Sequence, residues 1–137
     1  MNDNFKVTLM FTVICMIITG AVNFNVFLTS EPVELYNFYT TLIYIVYWLA
    51  VIGISVLFKE QSILNFTNKF WIFMFIISLL SAIYKPTILL PFIIAFFPQF
   101  AGLTLYIYTN DVFMFTTLLS AFLCAISWYF NMRLKNL

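Results

Sequence analysis

Residues 85–108 read KPTILLPFIIAFFPQFAGLTLYIY and hold three of the chain's 4 prolines and one of its 3 glycines, yet they are almost wholly apolar. Water-exposed loops carry Pro and Gly among polar residues. An apolar segment with this many helix breakers is tolerated where neighbouring helices re-satisfy the backbone groups that a proline frees, as they do in lipid. Any fold for this chain has to house that long, oily, interrupted segment.

The remainder of the sequence agrees with a lipid setting. Of 137 residues, 64% are hydrophobic and 8% charged, against about 25% charged in a soluble domain. So few polar side chains cannot cover a water-soluble globule of this size. The expected fold class is all-α, a polytopic transmembrane bundle forming one helical domain, with spans at 7–28, 36–58, 66–84, 87–108 and 112–132. A run of 22 residues is about 33 Å of helix, enough for a hydrocarbon core of about 30 Å. The third run is shorter and needs a start near Asn65 and a snorkelling Lys85. One lysine and no small-residue cleavage motif argue against a secretory leader at the N-terminus. Residues 59–69, KEQSILNFTNK, read as a polar loop in which Ile63, Leu64 and Phe66 form a short interfacial turn of helix. Asp111 reads as the N-cap of the last helix. Tyr36 and Tyr39 suit a headgroup belt.

Two topologies compete. If 87–108 crosses, there are five spans, and Lys6, Lys59 and Lys69 lie opposite Lys85, Arg133 and Lys135. If it dips in and returns, there are four spans plus a re-entrant segment, and five of the six cations share one side. Charge asymmetry favours the second; segment length, and the demands of burying re-entrant backbone in a small chain, favour the first. Five spans is the preferred expectation, with a cytoplasmic N-terminus in the plasma (inner) membrane either way.

Small and polar residues recur at steps of three and four: Thr8, Thr12, Cys15, Thr19 and Asn23; Met74, Ser78, Ser81 and Lys85; Thr87, Pro91, Ala95, Pro98 and Gly102; Thr117, Ser120, Cys124, Ser127 and Asn131. That spacing is the seam of a left-handed helix pair. In lipid such seams pack inward, because small residues allow close approach and hydroxyls bond across the contact.

No catalytic constellation is present. Histidine is absent. Asp3, Glu31, Glu34, Glu60 and Asp111 all fall at span ends or loops, where no proton relay through a span can use them. Cys15 and Cys124, within apolar runs, read as buried thiols behaving as small hydrophobes, and no metal or other cofactor is expected. A net charge of +1 gives no cationic stripe for nucleic acid. Candidate partner or lipid contacts are Lys85, Asn23, Tyr44 and Tyr47; a candidate helix break involves Pro91, Pro98 and Gly102. The expected partners are the lipid bilayer and another integral membrane protein, or a second copy of the chain. The expected function is non-enzymatic: lateral helix contact with another membrane protein, as an accessory subunit, an assembly factor or an immunity protein that blocks a pore-forming toxin. The alternative is an oligomeric channel or transporter whose site is the proline-kinked helix 87–108.

Overall fold

The computed structural model describes residues 3–29, 32–84 and 87–135. The architecture is all-helical, with no strand among the described residues. Four helices are long: α1 (Asp3–Thr29), α2 (Leu35–Leu57), α3 (Gln61–Ile83) and α5 (Thr109–Lys135). Each is long and apolar enough to cross a membrane. Between α3 and α5 lie a 3-10 turn (Thr87–Leu89), the short helix α4 (Leu90–Phe96) and a 3-10 segment (Pro98–Leu105).

The boundaries differ from expectation where side chains find partners. Helix α3 starts at Gln61, so the expected polar loop shrinks to a tight turn at 58–60. Ile63, Leu64 and Thr67 are buried, and that burial draws the helix forward through Lys69. The turn is a Schellman closure: Glu60 N–H bonds the Ser55 carbonyl (2.8 Å) and Lys59 N–H that of Val56 (3.3 Å). Lys59 holds a left-handed backbone (φ 57°), a conformation that costs a side-chain-bearing residue about 1 kcal/mol relative to Gly. Helix α5 begins at Thr109, which places Asp111 inside the first turn rather than at the cap.

The pairing of α3 with α5 sets the course of the chain. Asn131 Nδ2 donates to Asn65 Oδ1 (2.9 Å). Asn68 Nδ2 donates to the Cys124 carbonyl (3.0 Å) and to Ser127 Oγ (3.3 Å). Early residues of α3 thus face late residues of α5, and the two helices are antiparallel. A full-length helix between them would have made them parallel. Four helices are thus full-length, and in place of a fifth continuous one the chain has a bent pair between α3 and α5. Thr87–Phe96 and Pro98–Leu105 meet at 80°, and the chain returns to the end of the bundle from which it left α3.

Aromatic contacts track the descent of the hairpin. Phe92 packs on Phe73 (5.8 Å between ring centroids), and Phe96 on Phe73 (5.5 Å) and Phe70 (6.1 Å). The tip then meets the aromatic core: Phe100 against Tyr44 (5.5 Å), Trp48 stacked on Phe70 (4.6 Å), and Trp71 edge-on to Trp48 (5.3 Å). Tyr44, Trp48, Trp71 and Phe100 have no exposed surface. Offset and edge-on rings of this kind add about 0.5–1.5 kcal/mol per pair beyond area burial.

The inward seams match the sequence reading on three of four helices. Thr12, Thr19 and Asn23 are buried on α1; Met74, Ser78 and Ser81 on α3; Ser120, Ser127 and Asn131 on α5. The fourth stripe does not exist as a face. The helix breaks at Phe97, leaving Pro91 and Ala95 exposed while Pro98 and Gly102 are buried. Outside, large apolar residues such as Phe11, Ile17, Ile43, Val46, Leu118 and Phe122 are exposed.

Candidate functional site

Where the hairpin turns, its backbone is received by side chains of α1 and α2. Pro98 opens the 3-10 segment and cannot continue the N–H ladder of α4. The carbonyl of the next residue, Gln99, accepts hydrogen bonds from Thr41 Oγ1 (2.7 Å) and Asn23 Nδ2 (3.3 Å). Asn23 Nδ2 also donates to Thr41 Oγ1 (3.1 Å). Asn37 Nδ2 donates to Asn23 Oδ1 (3.0 Å) and to the Val22 carbonyl (3.2 Å), and Asn37 Oδ1 caps the Glu34 N–H (3.0 Å) at the start of α2. Asn23, Asn37 and Thr41 have zero exposure. This is a closed network in which nearly every donor is used, the condition under which buried polar groups specify one arrangement.

The Gln99 side chain extends the network along α1. Its Nε2 donates to the Met16 carbonyl of α1 (3.2 Å) and back to Ala95 (3.3 Å). Gly20 permits this approach, since a Cβ there would stand 3.2 Å from Gln99 Nε2. Gln99 Oε1 is buried without a partner among the described residues. Beside it, a groove of about 350 Å³ lies between α1 and the hairpin, lined by Val13, Met16, Ile17, Ile94, Phe96 and their neighbours. Gly102 makes the second close approach. A Cβ there would overlap the Asn37 carbonyl and stand 2.7 Å from Thr41 Oγ1, so only Gly lets this backbone lie flat on α2.

The expected site residues separate into three groups. Asn23 is central to the network. Tyr47 lies elsewhere on α2, half-buried, its hydroxyl 2.7 Å from Thr12 Oγ1 on α1. Tyr44 is a fully buried core ring against Phe100 and Trp48 rather than a surface contact. Of the proposed break residues, Pro91 occupies the first turn of α4, where proline is accommodated without a kink. Pro98 and Gly102 are the residues that shape the turn. Lys85 lies outside the described residues. Sequence reasoning missed Gln99, Asn37 and Thr41. The available signal was Gln99 itself, the single amide within residues 85–108.

Chemically, the arrangement positions backbone and excludes water. Its side chains are amides and hydroxyls, with no acid or base to move a proton. Among the described residues, no group of three or more His, Cys, Asp or Glu side chains could hold a metal. Cys15 and Cys124 are free and half-buried rather than fully enclosed; Cys124 accepts a contact from Asn68 Nδ2 at 3.4 Å. No family model, curated protein or solved structure matches this chain.

Proposed function

We propose that this chain is a multi-pass integral membrane protein, with four crossings and one re-entrant hairpin, that works without catalysis by lateral contact with another membrane protein. The observation that carries the reading is its inverted distribution of polarity: amides and hydroxyls at zero exposure inside, and large aliphatic and aromatic side chains exposed along all four long helices. In water that exterior is an aggregation surface; in lipid it is the expected one.

Two features at the bundle ends support the embedding. Tyr36, Tyr84, Tyr106 and Tyr108 are exposed at the end where the hairpin enters, and Phe58, Trp128 and Tyr129 near the other, as aromatic belts require. Lys6, Lys59, Arg133 and Lys135 gather, together with Asp3 and Glu60, at the end where α1 starts and α5 stops, with Lys69 two turns further in, while Glu34 and Asp111 lie at the opposite end. The positive-inside rule then puts both termini in the cytoplasm, on the inner face of a plasma membrane.

Helix α1 is the favoured contact surface. Only 22% of its most apolar window is buried, against 33% for each of the other three long helices, and Phe11, Ile14, Ile17 and Ile18 are all exposed on it. An accessory, assembly or immunity role would use such a face. A core filled with Tyr44, Trp48, Trp71, Phe97 and Phe100 at 0–1% exposure leaves no path through one copy, so the oligomeric channel alternative would need its path between copies. The test places photo-crosslinking residues at Ile14 and Ile18 on α1 and at Leu118 and Phe122 on α5, in native membranes. A heterologous adduct of one mass from α1 alone is expected. Adducts from neither helix, together with solute flux through proteoliposomes of the pure protein, would overturn the proposal in favour of transport.

A further inference from the structure

At the cationic end of the bundle, α2 and α5 end side by side around a cavity of about 200 Å³. Val56, Phe130 and Leu134 give it an apolar floor, and Lys59 and Arg133 give it a basic rim. Among the described residues no acidic side chain lines it; Glu60, which follows Lys59, accepts a hydrogen bond from Asn4 Nδ2 of α1. We propose that this cavity is a binding site for the phosphate headgroup of an anionic phospholipid, held by Lys59 and Arg133, with the start of an acyl chain on the apolar floor. The site rests on the membrane reading above.

Two independent observations converge on Lys59. The first is its position on the rim of a cavity whose other charged lining residue is also a cation. The second is its backbone. Lys59 has positive φ, and no other non-glycine residue does among those described. It fills the position after the helix cap that in Schellman turns is usually Gly. A side chain kept where glycine would be easier is the kind of local strain that accompanies function. The competing explanation is that Lys59 and Arg133 only neutralise the negative ends of α2 and α5. That explanation accounts for charge at both places but not for an apolar floor between them. Basic pockets between helices on the cytoplasmic side are where anionic headgroups bind.

The two explanations give opposite results for Lys59→Gly, which removes the charge and relieves the backbone. The protein is purified in mild detergent with a defined mixture of phosphatidylglycerol and phosphatidylcholine, and retained lipid is counted by native mass spectrometry. The wild type is expected to enrich phosphatidylglycerol. Lys59→Gly and Arg133→Gln should each lower that enrichment about fivefold, and the double variant should abolish it. Lys69→Gln, which changes a cation outside the cavity, should leave it intact. Lys59→Gly should melt at or above the wild-type temperature, so misfolding cannot imitate the effect. Wild-type lipid selectivity in Lys59→Gly, or a melting shift by inorganic phosphate alone equal to that by the lipid, would overturn the site. Recovery of the protein as a stable monomer in detergent-free buffer would overturn the membrane reading as well, so the two failures are distinguishable.

Discussion

Along α3 and α5 the helices touch over most of their length through a repeating set of small and polar side chains, from Asn65 with Asn131 to Ser78 and Ser81 near the far end. Under the hairpin, by contrast, a handful of groups does everything: the Gln99 carbonyl, Asn23, Asn37, Thr41 and the bare Cα of Gly102. The first contact is redundant, since losing one serine leaves many similar ones. The second is not, since each group has a partner that no other residue can replace. Equal burial therefore conceals unequal sensitivity to mutation, and the hairpin is the region where a single substitution decides the fold.

The largest effect is expected for Gly102→Ala. The added methyl meets backbone, which cannot swing aside, and overpacking of this kind costs about 3 kcal/mol or more. The measurement is the melting temperature in detergent; an unchanged value would mean that the hairpin does not lie on α2. Next is Asn37→Ala, which strips Asn23 Oδ1 and the Val22 carbonyl of their donor and Glu34 N–H of its acceptor. Unpaired buried groups cost about 1–3 kcal/mol, so the loss should exceed that of Asn131→Ala, which removes one interhelical bond worth about 0.6 kcal/mol. If the two variants melt alike, the contrast between the regions fails. The smallest effect has the opposite sign. Gly53 is exposed within α2, and a Cβ there would meet no atom within 4 Å, so Gly53→Ala should raise stability by about 0.5–1 kcal/mol in the same melting assay.

The same contrast explains what could be read before the structure. Four long helices follow from hydropathy, and their inward seams follow from the spacing of Thr19 and Asn23, or of Ser120 and Ser127, because regular helices convert sequence spacing directly into a face. The hairpin breaks that conversion. Residues 87–108 are long enough to span, and only the demand that α3 and α5 be antiparallel shows that they turn back. That demand depends on pairs such as Asn68 with Cys124, 56 residues apart, which local pattern does not encode. Asn23 was legible as polar glue because it continues a stripe. Gln99 was not, because its role depends on a backbone carbonyl that meets Asn23 and Thr41 and a side-chain amide that meets Met16, all brought together by an irregular turn. Tyr44 stood among the candidate contacts for the converse reason: its polar handle is visible in sequence, while the rings that enclose it come from residues 48 and 100.

The central claim is that residues 87–105 enter and leave on one side, and labelling from two sides tests it most directly. In a Cys15→Ser/Cys124→Ser background, single cysteines are introduced at Asp3, Asp111 and Lys135 and treated with an impermeant thiol reagent in sealed, oriented vesicles. The account predicts that positions 3 and 135 react from the same face and position 111 from the other. Reaction of positions 3 and 135 from opposite faces would contradict it.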